Sequence, residues 1–211
     1  MFSSWRTPQL PTAFKYTLDD GLPIFVRPIR PNDAARIKEG FERLSKLARR
    51  RRFPNGNPDH LSDELVAKLV HIDQINHSAW GAMNPARPDE PGIGIARYVR
   101  LNGEPQAADV AITIADDYQG RGAGFVLQAC LHLTARKNGI RTFYYDVASD
   151  NDRIIRHLKL LGATHAGRAD NIDRLELPVY RRARDVPDGN DIGRRFGEVF
   201  VRLQRSEELA A

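Results

Sequence analysis

The stretch with the clearest chemical content is Gln119–Gly124, which reads QGRGAG between two apolar segments. Glycine destabilises a helix by up to ~1 kcal/mol relative to alanine, so three glycines at alternate positions predict a backbone that must stay uncovered. A helix that begins here presents unpaired N–H groups and the positive end of its dipole. The stretch therefore predicts an anion site, with phosphate as the first candidate.

Three phosphate-binding motifs compete for this stretch. A Walker A loop requires a lysine and a hydroxyl residue that are missing after Gly124. The dinucleotide fingerprint G-x-G-x-x-G places its third glycine on Phe125 or Leu127, although Asp146 lies where a ribose-binding acid is expected. The remaining match is Q-x-x-G-x-G, which fits Gln119–Gly124.

The segments around the glycines predict how they are held. Residues 93–101 and 106–115 predict a β-hairpin, because Asn-Gly between them is a strong turn pair. Apolar residues alternate with small or polar ones in 106–115, so one face is core and the other carries Asp109. Residues 125–138 then predict a helix, 141–149 a strand and 151–162 a second helix.

The rest of the chain predicts one domain with extensions at both ends. One helix is predicted from an inward apolar face at Ile37, Phe41, Leu44 and Ala48, and it continues through Arg49–Arg52. Ser62 is predicted to cap a further helix. The other predicted elements are strands over 22–31, 76–83, 163–169 and 172–180 and a helix over 192–211. We therefore expect an N-terminal arm over 1–20, a domain over 21–180 and a helical tail over 181–211.

Composition restricts the class of protein. The chain has 211 residues, 41% of them hydrophobic, and no apolar run approaches the ~20 residues of a membrane span. Its N-terminus lacks the features of a secretory signal. The single cysteine, Cys130, lies among apolar residues and excludes an internal disulfide. These features predict a cytoplasmic protein that contacts no membrane, and no histidine spacing indicates a metal site.

The basic charge leaves two kinds of ligand open. The formal charge of +5 suits a nucleotide-like polyanion, and the arginines at 49–52 and 181–184 would also suit nucleic acid. Arginines at a helix end complement its dipole, however. No zinc finger or aromatic RNA-binding signature accompanies them, so nucleic acid is not the expected partner.

The match extends beyond the glycines to a known family. Gln119–Gly124 together with SDNDRIIRHLKLLGAT, which carries Asn151 and Gly162, resembles the GCN5-related N-acetyltransferases (GNAT) over about Leu22 to Tyr180. The segments RPIRPNDAARIKEGFERLS, IARYVR and ADVAITIADDYQGRGAG are similar to the bacterial protein-lysine acetyltransferase branch. The resemblance implies an α/β (α+β) fold. Its mixed, mostly antiparallel sheet would have about six or seven strands, flanked by helices, with a V-shaped splay between strands 106–115 and 141–147.

The resemblance also implies acetyl-coenzyme A as co-substrate and assigns residues to it. Backbone amides would hold its pyrophosphate, and the strand before them would pair with its pantetheine arm. The implied contacts are Gln119, Gly120, Arg121, Gly122, Ala123 and Gly124 for the pyrophosphate and Ile114, Ala115 and Asn151 for the arm. From the residues alone, Arg121 could instead be a solvated side chain and Asn151 a helix cap.

The catalytic groups depart from the family pattern. Asp109 stands where the lysine-acetylating branch has a glutamate base, and an ordinary solvated aspartate is the alternative. The family's acidic tyrosine, seven positions after the asparagine, is replaced by Leu158. His77 and Tyr145 are candidates for the acceptor cleft.

The resulting hypothesis is direct acetyl transfer to a primary amine in a ternary complex. A protein lysine, a polyamine, an aminoglycoside-like drug or an amino acid would each serve as acceptor, and a homodimer is compatible with the helical tail. The missing tyrosine and the shorter carboxylate also fit a non-catalytic acyl-coenzyme A-binding regulatory module.

Overall fold

A single mixed sheet organises the chain. The structure, a computed structural model, describes residues 13–53, 56 and 58–209. Within this part the sheet has eight strands in the order β1-β2-β3-β4-β5-β6-β8-β7. They are β1 Phe14–Thr17, β2 Pro23–Pro28, β3 His77–Met83, β4 Gly94–Leu101, β5 Glu104–Ile114, β6 Thr142–Ala148, β7 Thr164–Ala169 and β8 Ile172–Pro178.

The expected α/β fold is confirmed, with eight strands rather than six or seven. The additional strand is β1, which lies in the range expected as an arm; residues 1–12 of that range lie outside the described residues.

Helices cover both faces of the sheet. The helices are α1 Ala34–Glu42, α2 Lys46–Arg52, α3 Asp63–Val70, α4 Ala123–Lys137, α5 Asp152–Leu160 and α6 Asp191–Leu209. Apolar residues of α1 and α3 form one core with Ile29, Ala79 of β3 and Ile95 of β4, and α4 and α6 form a larger core on the opposite face. In the described part of the chain, no helix combines the length and apolarity needed to cross a bilayer.

The helix expected from Ile37 through Arg52 is broken into α1 and α2. Ser45 has extended backbone and caps α2, because its Oγ accepts from the Ala48 N–H at 3.2 Å. The Asp116 carboxylate accepts from the Ser45 N–H at 2.9 Å and from its hydroxyl at 3.1 Å. Leu44 remains buried at the break. The capping serine therefore redirects the chain without exposing the apolar face.

The tail packs on the domain. Phe196 and Phe200 of α6 are fully buried, and the ring of Phe196 lies 5.4 Å from that of His132 on α4. The helix expected over 192–211 is thus part of the larger core.

The predicted splay lies between β5 and β6. These strands pair in parallel only where Ala107–Asp109 meet Thr142–Tyr144. Beyond this point β5 continues to Ile114 and β6 continues to Ala148, but the two strands no longer pair with each other. The two strand ends therefore border a V-shaped groove whose vertex lies at Asp109.

Candidate active site

The glycine turn leads directly into α4. Gly120 and Gly122 have φ of +79° and +96°, a region that side-chain-bearing residues rarely adopt. A Cβ on Gly124 would lie 3.9 Å from the Ile114 side chain. Within the described residues, the backbone N–H groups of 120–124 have no hydrogen-bond acceptor. Five amides are therefore available to an anion at the positive end of a 15-residue helix.

Two arginines flank the turn. Arg121 Nε donates to Asp20 at 2.5 Å, and its guanidinium lies 5.6 Å from the Tyr118 ring centroid. Arg195 on α6 donates to Asp19 at 2.7 Å and lies 3.9 Å from a Cβ built on Gly122. Arg121 is thus paired with Asp20 of the β1–β2 turn, although its side chain remains 35% exposed. Arg195 was missed in the sequence because it lies on the C-terminal helix, far along the chain from the glycines.

The edge of β5 that faces the groove carries backbone groups that pair with no other strand of the described chain. The Ala115 N–H donates to Ile93 on the β4 side at 2.8 Å, and the Ala115 carbonyl accepts from Tyr118 at 2.9 Å. Because backbone direction alternates along an antiparallel strand, Ile112 and Ile114 direct their groups into the groove. The side-chain amide of Gln119 donates to the Ile114 carbonyl at 3.2 Å. The backbone groups that face the groove are therefore those of Ile112 and Ile114, whereas the N–H of the predicted contact Ala115 points toward β4.

Asn151 lies in the turn after β6, at the open end of the groove, and is 7% exposed. Its side chain makes no capping hydrogen bond, so the helix-cap alternative is wrong for the side chain. Its Oδ1 is buried and has no partner among the described residues. An unpaired buried oxygen costs about 1–3 kcal/mol, which a ligand N–H would remove.

Asp109 closes the vertex opposite Tyr144. Its carboxylate accepts from Arg174 of β8 at 2.7 Å, while the same guanidinium donates to both oxygens of Asp146 at 2.9 Å. Burial raises the pKa of Asp109, the Arg174 charge opposes this rise, and the Asp146 charge adds to it. A half-buried carboxylate with a raised pKa beside a groove is suited to accepting a proton.

The profile of the acetyltransferase (GNAT) domain matches residues 24–164. The chain belongs to the GNAT family. This confirms the predictions of an N-acetyltransferase and of acetyl-coenzyme A as its co-substrate.

Individual GNAT relatives agree with this assignment. The chain is 37% identical to an acetyltransferase of Pseudomonas aeruginosa over 142 residues, covering 67% of this chain and 75% of that protein. It is 32% identical to acetyltransferase Pat of Mycolicibacterium smegmatis over 167 residues, 77% of this chain but only 46% of Pat. The solved GNAT domain of S. lividans PAT matches with a TM-score of 0.71 at 29% identity, covering 79% of this chain and 96% of that domain.

The two acceptor-cleft candidates of this GNAT domain lie on opposite faces of the sheet. Tyr145 is 5% exposed, and its hydroxyl accepts from Gln128 of α4 at 3.1 Å. The prediction that it contacts the acceptor is therefore wrong, and Tyr144 is the tyrosine beside Asp109. The signal was available in the sequence, because apolar Phe143, Tyr145 and Val147 alternate with polar neighbours.

His77 lies on the same face as Asp109, with Val99 of β4 between them in register. Its Nε2 lies 3.3 Å from a guanidinium nitrogen of Arg97. Burial and the Arg97 charge lower the pKa of His77 to about 4, so its imidazole is neutral near pH 7. His77 therefore borders the face on which an acceptor would lie, one strand away from the groove.

No side chain replaces the missing tyrosine acid at its family position. Leu158 is 2% exposed and belongs to the larger core. Among the described side chains, no group of three or more histidine, cysteine, aspartate or glutamate residues could hold a metal ion. Asp109 and its partners Arg174 and Asp146 are therefore the charged groups beside the groove that could take part in the chemistry.

Gly122→Ala is expected to weaken acetyl-coenzyme A binding by at least about tenfold, because a side chain strains the αL turn that aims the amides. Calorimetric titration measures this affinity. Gly139, which ends α4 with φ of +75° and has open space around a Cβ, provides the matched control. Gly139→Ala should destabilise the fold similarly and leave coenzyme affinity unchanged; equal loss of affinity in both variants would contradict the assignment.

Proposed function

We propose that the protein transfers acetyl directly from acetyl-coenzyme A to a primary amine within a ternary complex. The observation that carries the proposal is the position of the Asp109 carboxylate at the vertex of the groove between β5 and β6. A coenzyme arm in the groove and an amine over this face of the sheet would meet beside that carboxylate. No acyl-enzyme is required, and Cys130 is buried in the core.

The coenzyme groups have partners along the groove. The free amides of 120–124 suit the pyrophosphate, since both the N–H groups and the helix dipole favour negative charge. The backbone of Ile112 and Ile114 would pair with the pantetheine amides as an added strand does. The unpaired Oδ1 of Asn151 would accept from the same arm. Arg121 and Arg195 add positive charge beside the turn.

Asp109 would act as the base. A lysine-like amine has a pKa of ~10.4 and must lose a proton before it attacks the thioester carbon. The Asp109 carboxylate would take this proton, and Arg174 would hold the carboxylate in place through their 2.7 Å hydrogen bond. Because aspartate is one methylene shorter than glutamate, we expect a water molecule to relay the proton.

The departing sulfur would be protonated by solvent. When the new C–N bond forms, the C–S bond breaks and the thiolate needs one proton. A thiol has a pKa of ~8.5, so a thiolate is a good enough leaving group that water can serve as the acid. Acetyl transfer would therefore be possible with Leu158 at the family's tyrosine position.

Two classes of acceptor each have support. The sequence segments shared with the lysine-acetylating branch and the similarity to Pat favour a protein lysine. A cavity beside β5 instead favours a small-molecule amine. A cytoplasmic location and a homodimer stay predictions from the sequence.

The test is a turnover screen with acetyl-coenzyme A over lysine peptides, polyamines, amino acids and simple amines. Coenzyme binding is measured alongside by calorimetry. Turnover of at least one amine class, saturable in both substrates and with intersecting double-reciprocal plots, supports direct transfer. Tight coenzyme binding without turnover of any amine would favour the regulatory module.

A further inference from the structure

A cavity of about 100 Å³ lies between the α1–α3 helices and the sheet. Its apolar walls come mainly from Ile37, Phe41, Leu44, Phe53, Leu61 and Leu69. One side is formed by Ala111, Thr113 and Ala115, which lie on one face of β5. The edge of the same strand that faces β6 borders the groove proposed for the coenzyme. Ala111 follows Asp109 by two residues on the same face, a separation of about 7 Å. The cavity therefore lies against the same face of β5 as Asp109, the proposed base.

The charges that line the cavity are unbalanced. Four arginines contribute to its lining against one carboxylate, that of Asp33. Asp33 is already occupied, because it accepts from Arg27 at 2.6 and 2.7 Å and from the Arg30 N–H at 2.8 Å. Arg36 donates to two backbone carbonyls. Arg52 and Arg97 are left without a carboxylate among the described residues.

Arg97 is the more enclosed of the two, with 6% exposure, and lies directly opposite Ala111. One of its guanidinium nitrogens lies 3.3 Å from the Leu69 carbonyl and 3.3 Å from neutral His77. The Arg52 guanidinium lies 4.4 Å from the Phe53 ring centroid. Burial lowers the pKa of Arg97 to about 9 and that of Arg52 to about 10, and the Arg52 charge contributes to the shift of Arg97.

A buried Arg97 that is repelled by the partly exposed Arg52 is costly unless an anion joins the two guanidinium groups. A guanidinium donates in a fork that matches a carboxylate, and the surrounding walls are apolar. Inorganic phosphate or sulfate would fit the charge but would leave the apolar walls unused. The combination indicates a ligand with one carboxylate and one apolar group.

We propose that this cavity binds the carboxylate of a small, apolar substrate through Arg97 and Arg52. The proposal rests on the acetyl transfer argued above and names the substrate class of that site. The carboxylate belongs either to the acceptor, which is then an apolar amino acid, or to the acyl group of the donor. In the first case the amine of the acceptor lies toward Asp109.

Matched pairs of acceptors test the first source. Leucine is compared with isoamylamine and phenylalanine with phenethylamine, since each pair differs only by the carboxylate. The wild-type protein should show a kcat/KM at least about tenfold higher for the amino acid of each pair. Arg97→Gln and Arg52→Gln should each bring this ratio close to one, because each lowers kcat/KM for the amino acid much more than for the amine.

A donor pair tests the second source. Succinyl-coenzyme A and butyryl-coenzyme A are compared with isoamylamine as the acceptor. Preference for the succinyl donor, lost in both arginine variants, places the carboxylate on the acyl group. Equal use of both members in the acceptor pairs and in the donor pair overturns the proposal, as does a preference that survives both substitutions.

Binding without turnover separates this proposal from the proposed reaction. N-acetyl-leucine and N-acetyl-isoamylamine are titrated into the protein in the presence of coenzyme A. Stronger binding of N-acetyl-leucine, abolished by Arg97→Gln, supports the cavity even if no amine is acetylated. Thermal melts establish that each variant is folded, and Arg52→Gln on the short α2 provides the second test where Arg97→Gln does not fold.

Discussion

Replacing Asp109 by asparagine is expected to lower kcat by about two to four orders of magnitude near pH 7, the usual contribution of a general base. Asparagine keeps the size of the side chain and still offers an oxygen to Arg174, but it cannot accept the proton of the amine. Steady-state turnover with saturating acetyl-coenzyme A measures the loss. Coenzyme affinity should be unchanged, because Asp109 contacts no part of the glycine turn.

Asp146 provides the matched control. It is the other carboxylate on Arg174 and lies further along β6, away from the vertex. Asp146→Asn should lower kcat by less than about tenfold, since it removes only part of the support of Arg174. If Asp146→Asn abolished turnover and Asp109→Asn did not, the assignment of the base would be wrong.

The pH profile gives a second readout of the same base. Burial raises the pKa of Asp109, so kcat/KM should fall on the acid side at a higher pH than an ordinary aspartate would cause. Arg174 opposes this rise, and Arg174→Gln should therefore move the acid limb to still higher pH. A limb that did not move would show that Arg174 has no part in positioning the base.

Much of the fold could be predicted because its signals are local. The Asn-Gly turn, the alternation in β5 and the glycines that end α4 and α5 each depend on neighbouring residues. The break between α1 and α2 was missed because Ser45 is fixed by Asp116, a partner distant in sequence. Strand β1 was missed because its four residues carry too little pattern to indicate pairing.

In the candidate site, too, the residues of local motifs could be predicted, whereas residues brought together by distant parts of the chain could not. The glycine turn and Asn151 follow from short motifs, whereas Arg174 and Arg97 acquire their roles only when β8 and β4 bring them to this face of the sheet. Tyr145 was predicted one position away from Tyr144, the tyrosine that lies beside Asp109. In a strand, a shift of one residue reverses the face of the side chain and the direction of the backbone groups. The spacing of residues in the sequence therefore predicts a binding motif more reliably than it predicts which face of a strand carries a given side chain.

The core between α4 and α6 contains a group that ties stability to pH. His132 is fully buried, and its Nδ1 accepts from the Tyr180 N–H at 3.0 Å, which requires the neutral ring. Its ring stacks on Tyr180 at 5.3 Å and lies 4.9 Å from Phe143. Burial lowers the pKa of His132 to about 3. The unfolded chain, with an ordinary histidine pKa of ~6.5, therefore binds a proton that the folded chain excludes.

Acidification from pH 7 to pH 5 is therefore expected to cost about 2 kcal/mol of folding free energy through His132 alone, because one pKa unit corresponds to about 1.4 kcal/mol. The sign follows from the lowered pKa: the loss begins as pH falls below ~6.5 and grows until the folded pKa is reached. Urea unfolding at pH 7, 6 and 5 measures it in the wild-type protein and in His132→Gln. The variant should be less stable than the wild type at pH 7, because it loses ring packing, but its free energy of unfolding should fall by about 2 kcal/mol less on acidification.

His60→Gln, at an exposed histidine, serves as the control and should follow the wild-type profile, since the His60 ring lies outside the core. Parallel profiles for wild type and His132→Gln would show that the buried imidazole does not set the acid limit of the fold.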